Sequence, residues 1–91
     1  MEFEWDSAKA RRNLLKHGVS FQEAATVFGD RLSSTYLDPD HSTEEDRFVT
    51  IGVSLQGRTL FVAHTDRGSR VRIISARAAT PRERKQHEEG V

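Results

Sequence analysis

Arginine side chains are concentrated around one predicted strand in the last third of the chain. Arg70 and Arg72 share one face of that strand, whereas Arg77 has the opposite parity unless a bulge or the strand end turns it. Arg67 precedes the strand and Arg82 follows it in a predicted helix. Neighbouring strands lie about 5 Å apart, so several of these arginines could converge on one site. The sequence is equally compatible with an exposed sheet face of solvated arginines.

A cluster of arginines is suited to chemistry at a phosphate group. The guanidinium group forms bidentate hydrogen bonds with phosphate oxygens and stabilises the extra charge of a transition state. The chain has no cysteine and none of the phosphate-loop, dinucleotide-binding or metalloprotease motifs. Phosphoryl transfer within RNA needs no protein nucleophile, because the 2′-hydroxyl of the substrate attacks the phosphorus. The protein must then supply groups that transfer protons, and histidine can do so near neutral pH.

The histidines are therefore the candidate groups for proton transfer. His64 has the strand parity of Leu60 and Val62, so it is either a half-buried core residue or a group presented on the sheet. His17 precedes Gly18 at a predicted helix end, where the helix dipole favours a cation whether or not that residue takes part in catalysis.

Neither a metal nor another cofactor is expected. Residues 38–41 read Asp-Pro-Asp-His, which could hold a metal ion, but these are also typical turn-forming residues and a turn is favoured. The spacings of the four histidines fit no standard zinc site.

Length and composition restrict the classes of protein to consider. The 91 residues suffice for one domain, placed at residues 1–91. Charged residues make up 31% of the chain, and no apolar run approaches the roughly 18 residues of a membrane span. The N-terminal segment is acidic where a secretory signal would be basic, and no apolar signal core follows it. We therefore expect a soluble, cytoplasmic protein.

The formal net charge of zero conceals an asymmetry along the chain. Residues 1–54 carry six Lys or Arg against ten Asp or Glu, whereas residues 55–91 carry eight against four. Seven of the eight late bases are arginine. A basic C-terminal half indicates an anionic partner such as nucleic acid, and a solvated surface pattern is the alternative.

Capping residues predict three helices. Asp6 is a typical N-cap for a helix that ends at Gly18, and Ser20 with Glu23 forms a capping box that begins a second helix. A third helix begins with a Thr-Pro-Arg-Glu sequence at residues 80–83. This last helix has no apolar stripe, so a few side-chain stems or a partner must hold it in place.

Period-2 patterns predict the strands. A short strand begins the chain, and further strands are predicted at residues 32–37, 48–53, 59–65 and 71–76. Short turns join the later strands, which favours an antiparallel meander. Because helices and strands are segregated along the chain, we predict an α+β fold.

Two segments together resemble a known family. Residues 16–21 read Lys-His-Gly-Val-Ser-Phe and residues 73–77 read Ile-Ile-Ser-Ala-Arg, a combination that resembles the BrnT toxins. Similar matches at residues 3–6, 13–14, 47–48, 64–65 and 82–84 extend the resemblance over nearly the whole chain. It implies a RelE-like fold and a ribonuclease toxin of a type II toxin–antitoxin system. It also implies a BrnA-like ribbon-helix-helix antitoxin, an RNA substrate, and contact with operator DNA only through the antitoxin.

The resemblance also guides the choice of site residues. Where relatives are expected to have a Tyr before the final Glu pair, this chain has His87, which could act as an acid or base or could only pack. We assign the phosphate charge to Arg72 and Arg77 and proton transfer to His64, with His87 as a second candidate. RNA binding is assigned to four further cations: Lys16, His17, Arg70 and Arg82.

Two other classes of protein remain open from the sequence. A non-catalytic nucleic-acid-binding module would use the same arginines but would not need His64 or His87. A pure interaction protein would dock a partner through its sheet or its polar last helix and would have no affinity for RNA. Phe48 and Phe61 are predicted core residues rather than a base-stacking platform, which weakens the interpretation as a general RNA-binding protein.

Overall fold

A computed structural model of the protein describes residues 1–38 and 46–90. A 3₁₀ turn at Val27–Gly29 extends the second helix. In chain order the elements are β1 (Glu2–Glu4), α1 (Ser7–His17), α2 (Phe21–Thr26), β2 (Ser34–Leu37), β3 (Phe48–Val53), β4 (Thr59–Arg67), β5 (Arg70–Ala78) and α3 (Pro81–Gly90).

The predicted cap residues Asp6, Gly18 and Ser20 are confirmed, but the reciprocal contact of Glu23 in the capping box is not. The Asp6 carboxylate accepts a hydrogen bond from the Lys9 backbone N–H at 2.9 Å, and Gly18 ends α1 with a φ of 70°. The Ser20 hydroxyl accepts a hydrogen bond from the Glu23 N–H. The Glu23 side chain does not close the capping box. It is buried and accepts hydrogen bonds from the Ser54 hydroxyl and the Arg58 guanidinium.

The five strands form one sheet in the order β1-β5-β4-β3-β2. Strands β2 to β5 pair antiparallel, as the meander predicts, but β1 lies parallel to β5 at the edge. The sheet is therefore mixed rather than wholly antiparallel. No local turn joins β1 to β5, so the sequence carried no signal of this pairing. The predicted strand at 32–37 begins only at Ser34, because the Asp30 carboxylate and carbonyl hold Leu32 and Ser33 in a turn.

Helices α1 and α2 pack on one face of the sheet and enclose the hydrophobic core. The side chains of Phe21, Leu60 and Ile73 are buried there, and Trp5 packs edge-to-face on Phe21. Asn13 ties α1 to the sheet: its amide donates to the carbonyls of Val19 and Ala76, and its oxygen accepts from the Ala76 N–H. The α+β class is thus confirmed, with the core between the sheet and this helical layer.

The opposite side of the sheet carries the candidate site. Leu60, Val62 and Ala76 belong to the core, so Phe61 and Arg77, their chain neighbours, point away from it. Helix α3 lies over this side, beside Tyr36 and Ile51. We call this surface the α3 face and define it by Tyr36, Ile51, Phe61, Arg72 and Arg77.

Candidate active site on the α3 face

A β-bulge in β5 places the arginines on one face. Ala63 pairs with Ser75, whereas His64 pairs with Ile73, so Ile74 is an extra residue in β5. The bulge reverses the parity of the residues that follow it. Arg77 therefore lies on the same face as Arg70 and Arg72 instead of the opposite one, which is the exception that the sequence analysis left open.

Arg77 is held by two neighbours on this face. Its Nη1 and Nη2 atoms donate to the Oε1 and Oε2 atoms of Glu83 at 2.7 and 2.9 Å. Its guanidinium carbon lies 4.1 Å from the centre of the Phe61 ring, a cation–π contact. The hydrogen bonds from Arg77 lower the pKa of Glu83 to about 2, so this carboxylate is ionised at neutral pH. The same hydrogen bonds raise the pKa of Arg77.

Helix α3 turns a polar stripe toward the sheet. Its residues Glu83, Gln86, His87 and Gly90 recur at helical spacing and line a cavity of about 380 Å³. Ser34, Tyr36 and Ile51 form the sheet side of that cavity. The helix begins with a reciprocal capping box, because Thr80 N–H donates to Glu83 and Glu83 N–H donates to the Thr80 hydroxyl.

This arrangement combines four kinds of chemical group. Arg77 supplies a fixed cation, Glu83 a carboxylate, His87 an imidazole and Tyr36 a phenol. Burial, followed by the charges of Glu83 and Asp38, raises the pKa of Tyr36, so its hydroxyl stays protonated and can donate a hydrogen bond. Together these groups can bind a phosphate, stabilise added negative charge and transfer protons.

The other two arginines of β5 lie at a second position on the face, beside β1. Arg72 Nη1 donates to Glu4 at 2.8 Å, and Arg70 Nε donates to Glu2 at 3.2 Å. Arg72 and Arg77 are separated by five residues, roughly 15 Å along a strand. The structure therefore places Arg72 and Arg77 on one face without bringing them to one point.

His64 lies on the other face of the sheet. It is 4% exposed, stacks on Phe48 and contacts the edge of Phe28. Its Nε2 atom shares a 2.7 Å hydrogen bond with the Thr50 hydroxyl, and its Nδ1 is buried with no partner among the described residues. Burial lowers the pKa of His64. The structure therefore does not bring His64 together with Arg72, Arg77 or His87.

The other cations assigned to RNA binding are spread over the molecule. Lys16 and His17 are exposed in the last turn of α1, in the layer opposite α3. Arg82 is exposed in the first turn of α3, directly before Glu83. Of these three, only Arg82 belongs to α3, the helix that lines the cavity.

Sequence reasoning missed Tyr36 and Glu83 as candidate functional residues. Glu83 was interpreted only as a helix cap, and Tyr36 only as the end of a predicted strand. One signal was available for Glu83: it precedes His87 by four residues, so both side chains project from one side of α3. For Tyr36 there was no comparable signal, because its distance from α3 depends on the strand order.

Two further observations concern metals and membranes. Within residues 1–38 and 46–90, no three His, Asp or Glu side chains are placed to hold a metal ion together. The possible metal-binding turn at residues 38–41 lies largely outside the described residues. Among the described helices, none has the length and apolar content needed to cross a membrane.

The comparisons with known proteins agree with the fold. The structure is similar to the Brucella abortus ribonuclease toxin BrnT, with a TM-score of 0.64 and 28% sequence identity, covering 88% of this chain and 97% of that chain. The family described as "Ribonuclease toxin, BrnT, of type II toxin-antitoxin system" matches residues 5–83. None of the curated protein sequences matches the chain.

Fold and family match together define a ribonuclease toxin of a type II toxin–antitoxin system. The chain belongs to the BrnT family, as the two sequence segments predicted. An antitoxin partner and an RNA substrate follow from membership of such a system.

Proposed function

We propose that this chain is an endoribonuclease that needs no metal ion and cleaves RNA on the α3 face. The observation that carries the proposal is a cavity lined by Tyr36, Glu83 and His87, with the Arg77 guanidinium bound to the Glu83 carboxylate beside it. In the proposed reaction the 2′-hydroxyl attacks the adjacent phosphorus and the bond to the 5′-oxygen breaks. The products are a 2′,3′-cyclic phosphate and a free 5′-hydroxyl.

Arg77 is the proposed phosphate ligand. Its bidentate contact with the Glu83 carboxylate has the planar geometry that a phosphate would also satisfy. When the guanidinium turns to the substrate, it stabilises the charge that accumulates on the phosphorane oxygens. Arg72, Arg70 and Arg82 would contact flanking phosphates, since they lie away from Arg77 on the same side of the molecule.

His87 and Glu83 are the proposed proton-transfer groups. A carboxylate with a pKa of about 2 is a weak base, but Glu83 owes this value chiefly to its hydrogen bonds with Arg77. Its basicity rises when Arg77 moves to the phosphate. Glu83 would then accept the proton of the 2′-hydroxyl, while His87 gives a proton to the leaving 5′-oxygen and Tyr36 donates a hydrogen bond. His64, buried on the other face, serves as a core residue in this proposal.

The antitoxin and the location of the activity complete the proposal. The family resemblance supports a BrnA-like ribbon-helix-helix antitoxin, through which alone the pair would contact operator DNA. An RNA substrate supports activity in the cytoplasm, with residues 1–91 acting as one domain.

The test is cleavage of labelled single-stranded RNA by the purified chain in EDTA. We expect 2′,3′-cyclic phosphate ends, no cleavage of a 2′-O-methyl RNA of the same sequence, and at least a hundredfold lower rate for Arg77→Ala. Arg84→Ala is the matched control, because it removes the same charge from an exposed position of α3. Activity that requires an added metal would overturn the metal-independent reaction. Intact RNA, both alone and with translating ribosomes, would favour a protein that binds RNA without cutting it.

A further inference from the structure

The outer surface of α1 is strongly basic. Helix α1 contains no Asp or Glu between Ser7 and His17. Its exposed cations form no ion pair within the part of the chain that the structure describes, although the exposed Asp6 cap lies near two of them. These cations are Lys9, Arg11, Arg12 and Lys16. The arginines of the α3 face differ, because Arg70, Arg72 and Arg77 are each paired with a carboxylate.

Two leucines interrupt this basic surface. Leu15 is 88% exposed and Leu14 is 50% exposed, and they follow Arg11 by four and three residues. Side chains at these spacings are neighbours on a helix, so each leucine lies beside a cation. The core of the protein does not use Leu15, because α1 faces the core with Ala10 and Asn13.

A groove with an aromatic floor adjoins these residues. It runs between α1 and the start of α2, and Trp5 and Phe21 form its floor with ring centres 6.0 Å apart. Arg11 and Leu14 line its α1 side. An apolar floor with a basic rim complements a segment that presents apolar side chains next to acidic ones.

We propose that this surface, defined by Arg11, Leu14, Leu15 and the groove over Trp5, is where the antitoxin docks through an acidic amphipathic segment. Such a segment would complement every part of this surface, whereas phosphates would use the cations but not the leucines or the aromatic floor. The inference rests on family membership, which supplies the antitoxin, and not on the proposed catalytic residues. The surface lies in the layer opposite α3, so anchoring of the antitoxin is separable from catalysis.

The experiment measures binding of the purified antitoxin of the same system to the purified toxin chain by isothermal titration calorimetry. We expect Arg11→Glu and Leu15→Glu each to raise the Kd at least tenfold. Leu55→Glu is the matched control, because Leu55 is 86% exposed between β3 and β4, and it should leave the Kd within twofold. Higher salt should weaken binding of the unmodified chain more than that of Arg11→Glu. Circular dichroism of each variant checks that its fold is retained.

The affinity of each variant for single-stranded RNA is measured in parallel. We expect it to stay within twofold of the unmodified chain. An unchanged antitoxin Kd in both variants overturns the proposal, and so does a loss of RNA affinity equal to the loss of antitoxin affinity, which would assign the surface to RNA. Because binding is measured without any cleavage, an inactive chain would refute the proposed reaction and leave this test intact.

Discussion

Glu83 binds both the side chain of Arg77 and the backbone at the start of α3. Its Oε1 atom accepts hydrogen bonds from Arg77 Nη1 at 2.7 Å and from the Thr80 backbone N–H at 2.9 Å. A ligand that removes Arg77 from this carboxylate therefore also loosens the first turn of α3, a helix with no buried residue of its own. The position of the Arg77 guanidinium and the position of α3 are coupled through this one side chain.

Two replacements of Arg77 should show whether cleavage needs only its positive charge or also its planar guanidinium group. We expect Arg77→Ala to lower kcat at least a hundredfold and Arg77→Lys to recover only a small part of it, because an ammonium group cannot form the bidentate contact. Single-turnover cleavage of labelled RNA measures the rate. Full activity in Arg77→Lys would show that a single positive charge is sufficient and that the fork geometry has no role.

His87→Gln should lower kcat by roughly 10²- to 10⁴-fold while the Kd for RNA changes little, since general acid catalysis acts only in the transition state. Anisotropy with 2′-O-methyl RNA gives the Kd without cleavage. His17→Gln is the matched control and should keep the full rate, because His17 lies in the opposite layer. Equal losses in both variants would contradict the assignment of His87.

The Glu83–Arg77 pair should make stability depend on acid pH. The folded pKa of Glu83 is about 2, below the ordinary value of 4.5, so its contribution is complete above pH 5 and is lost as the pH falls toward 2. Because Arg77 is one-third exposed, we expect a contribution on the order of 1 kcal/mol. Urea unfolding between pH 2 and 7 should show a smaller loss for Glu83→Gln than for the unmodified chain. Glu88→Gln should behave like the unmodified chain, and identical curves for all three would refute the coupling.

His64 should make stability depend on pH near neutrality. Burial lowers its folded pKa below the ordinary 6.5, so the unfolded chain takes up a proton first as the pH falls. Stability should therefore decrease below about pH 7, by at most about 1.4 kcal/mol per pH unit. The free energy of unfolding, measured from pH 7 to 5, should fall less steeply in His64→Gln. If the slope persists in His64→Gln and disappears in His17→Gln, the pH dependence comes from His17 and the prediction for His64 is wrong.

Asn13→Ala should destabilise the fold by about 2–4 kcal/mol, because it leaves the buried carbonyls of Val19 and Ala76 and the Ala76 N–H without their partner. Urea unfolding measures the change. Gln22→Ala, an exposed amide on α2, should change stability by less than about 0.5 kcal/mol. A loss below 1 kcal/mol for Asn13→Ala would mean that water or a shift of α1 replaces these bonds.

Local signals in the sequence were sufficient for most of the elements. Asp6, Gly18, Ser20 and Thr80 set helix ends through contacts within three or four residues, and the structure shows those contacts. The parallel pairing of β1 with β5 could not be predicted in this way, because residues 2–4 and 70–72 are joined by no turn. The side of the sheet that α3 covers could not be predicted either, because the stripe of α3 that faces the sheet is polar and gives no hydrophobic pattern.

The candidate site was predicted only in part. Arg77 and His87 were identified from residue type and family resemblance, and the structure places both on the α3 side. His64 was chosen from its strand parity, which does not tell a buried imidazole from a presented one. Tyr36 joins the site only because β2 is the edge strand beneath α3, a fact of topology.

The extra residue in β5 makes the composition of the α3 face depend on the number of residues in the strand as well as on their identities. If β5 kept all its residues but paired regularly with β4, Arg77 would turn toward Leu60 and Val62, into the core, whereas deleting Ile74 would remove the bulge and leave Arg77 opposite Phe61. For a relative that lacks the extra residue, an alignment with no gap opposite Ile74 would equate side chains from opposite sides of the sheet. In such a relative, counting residues back from α3, and not forward from the β4–β5 turn, gives the position that corresponds to Arg77.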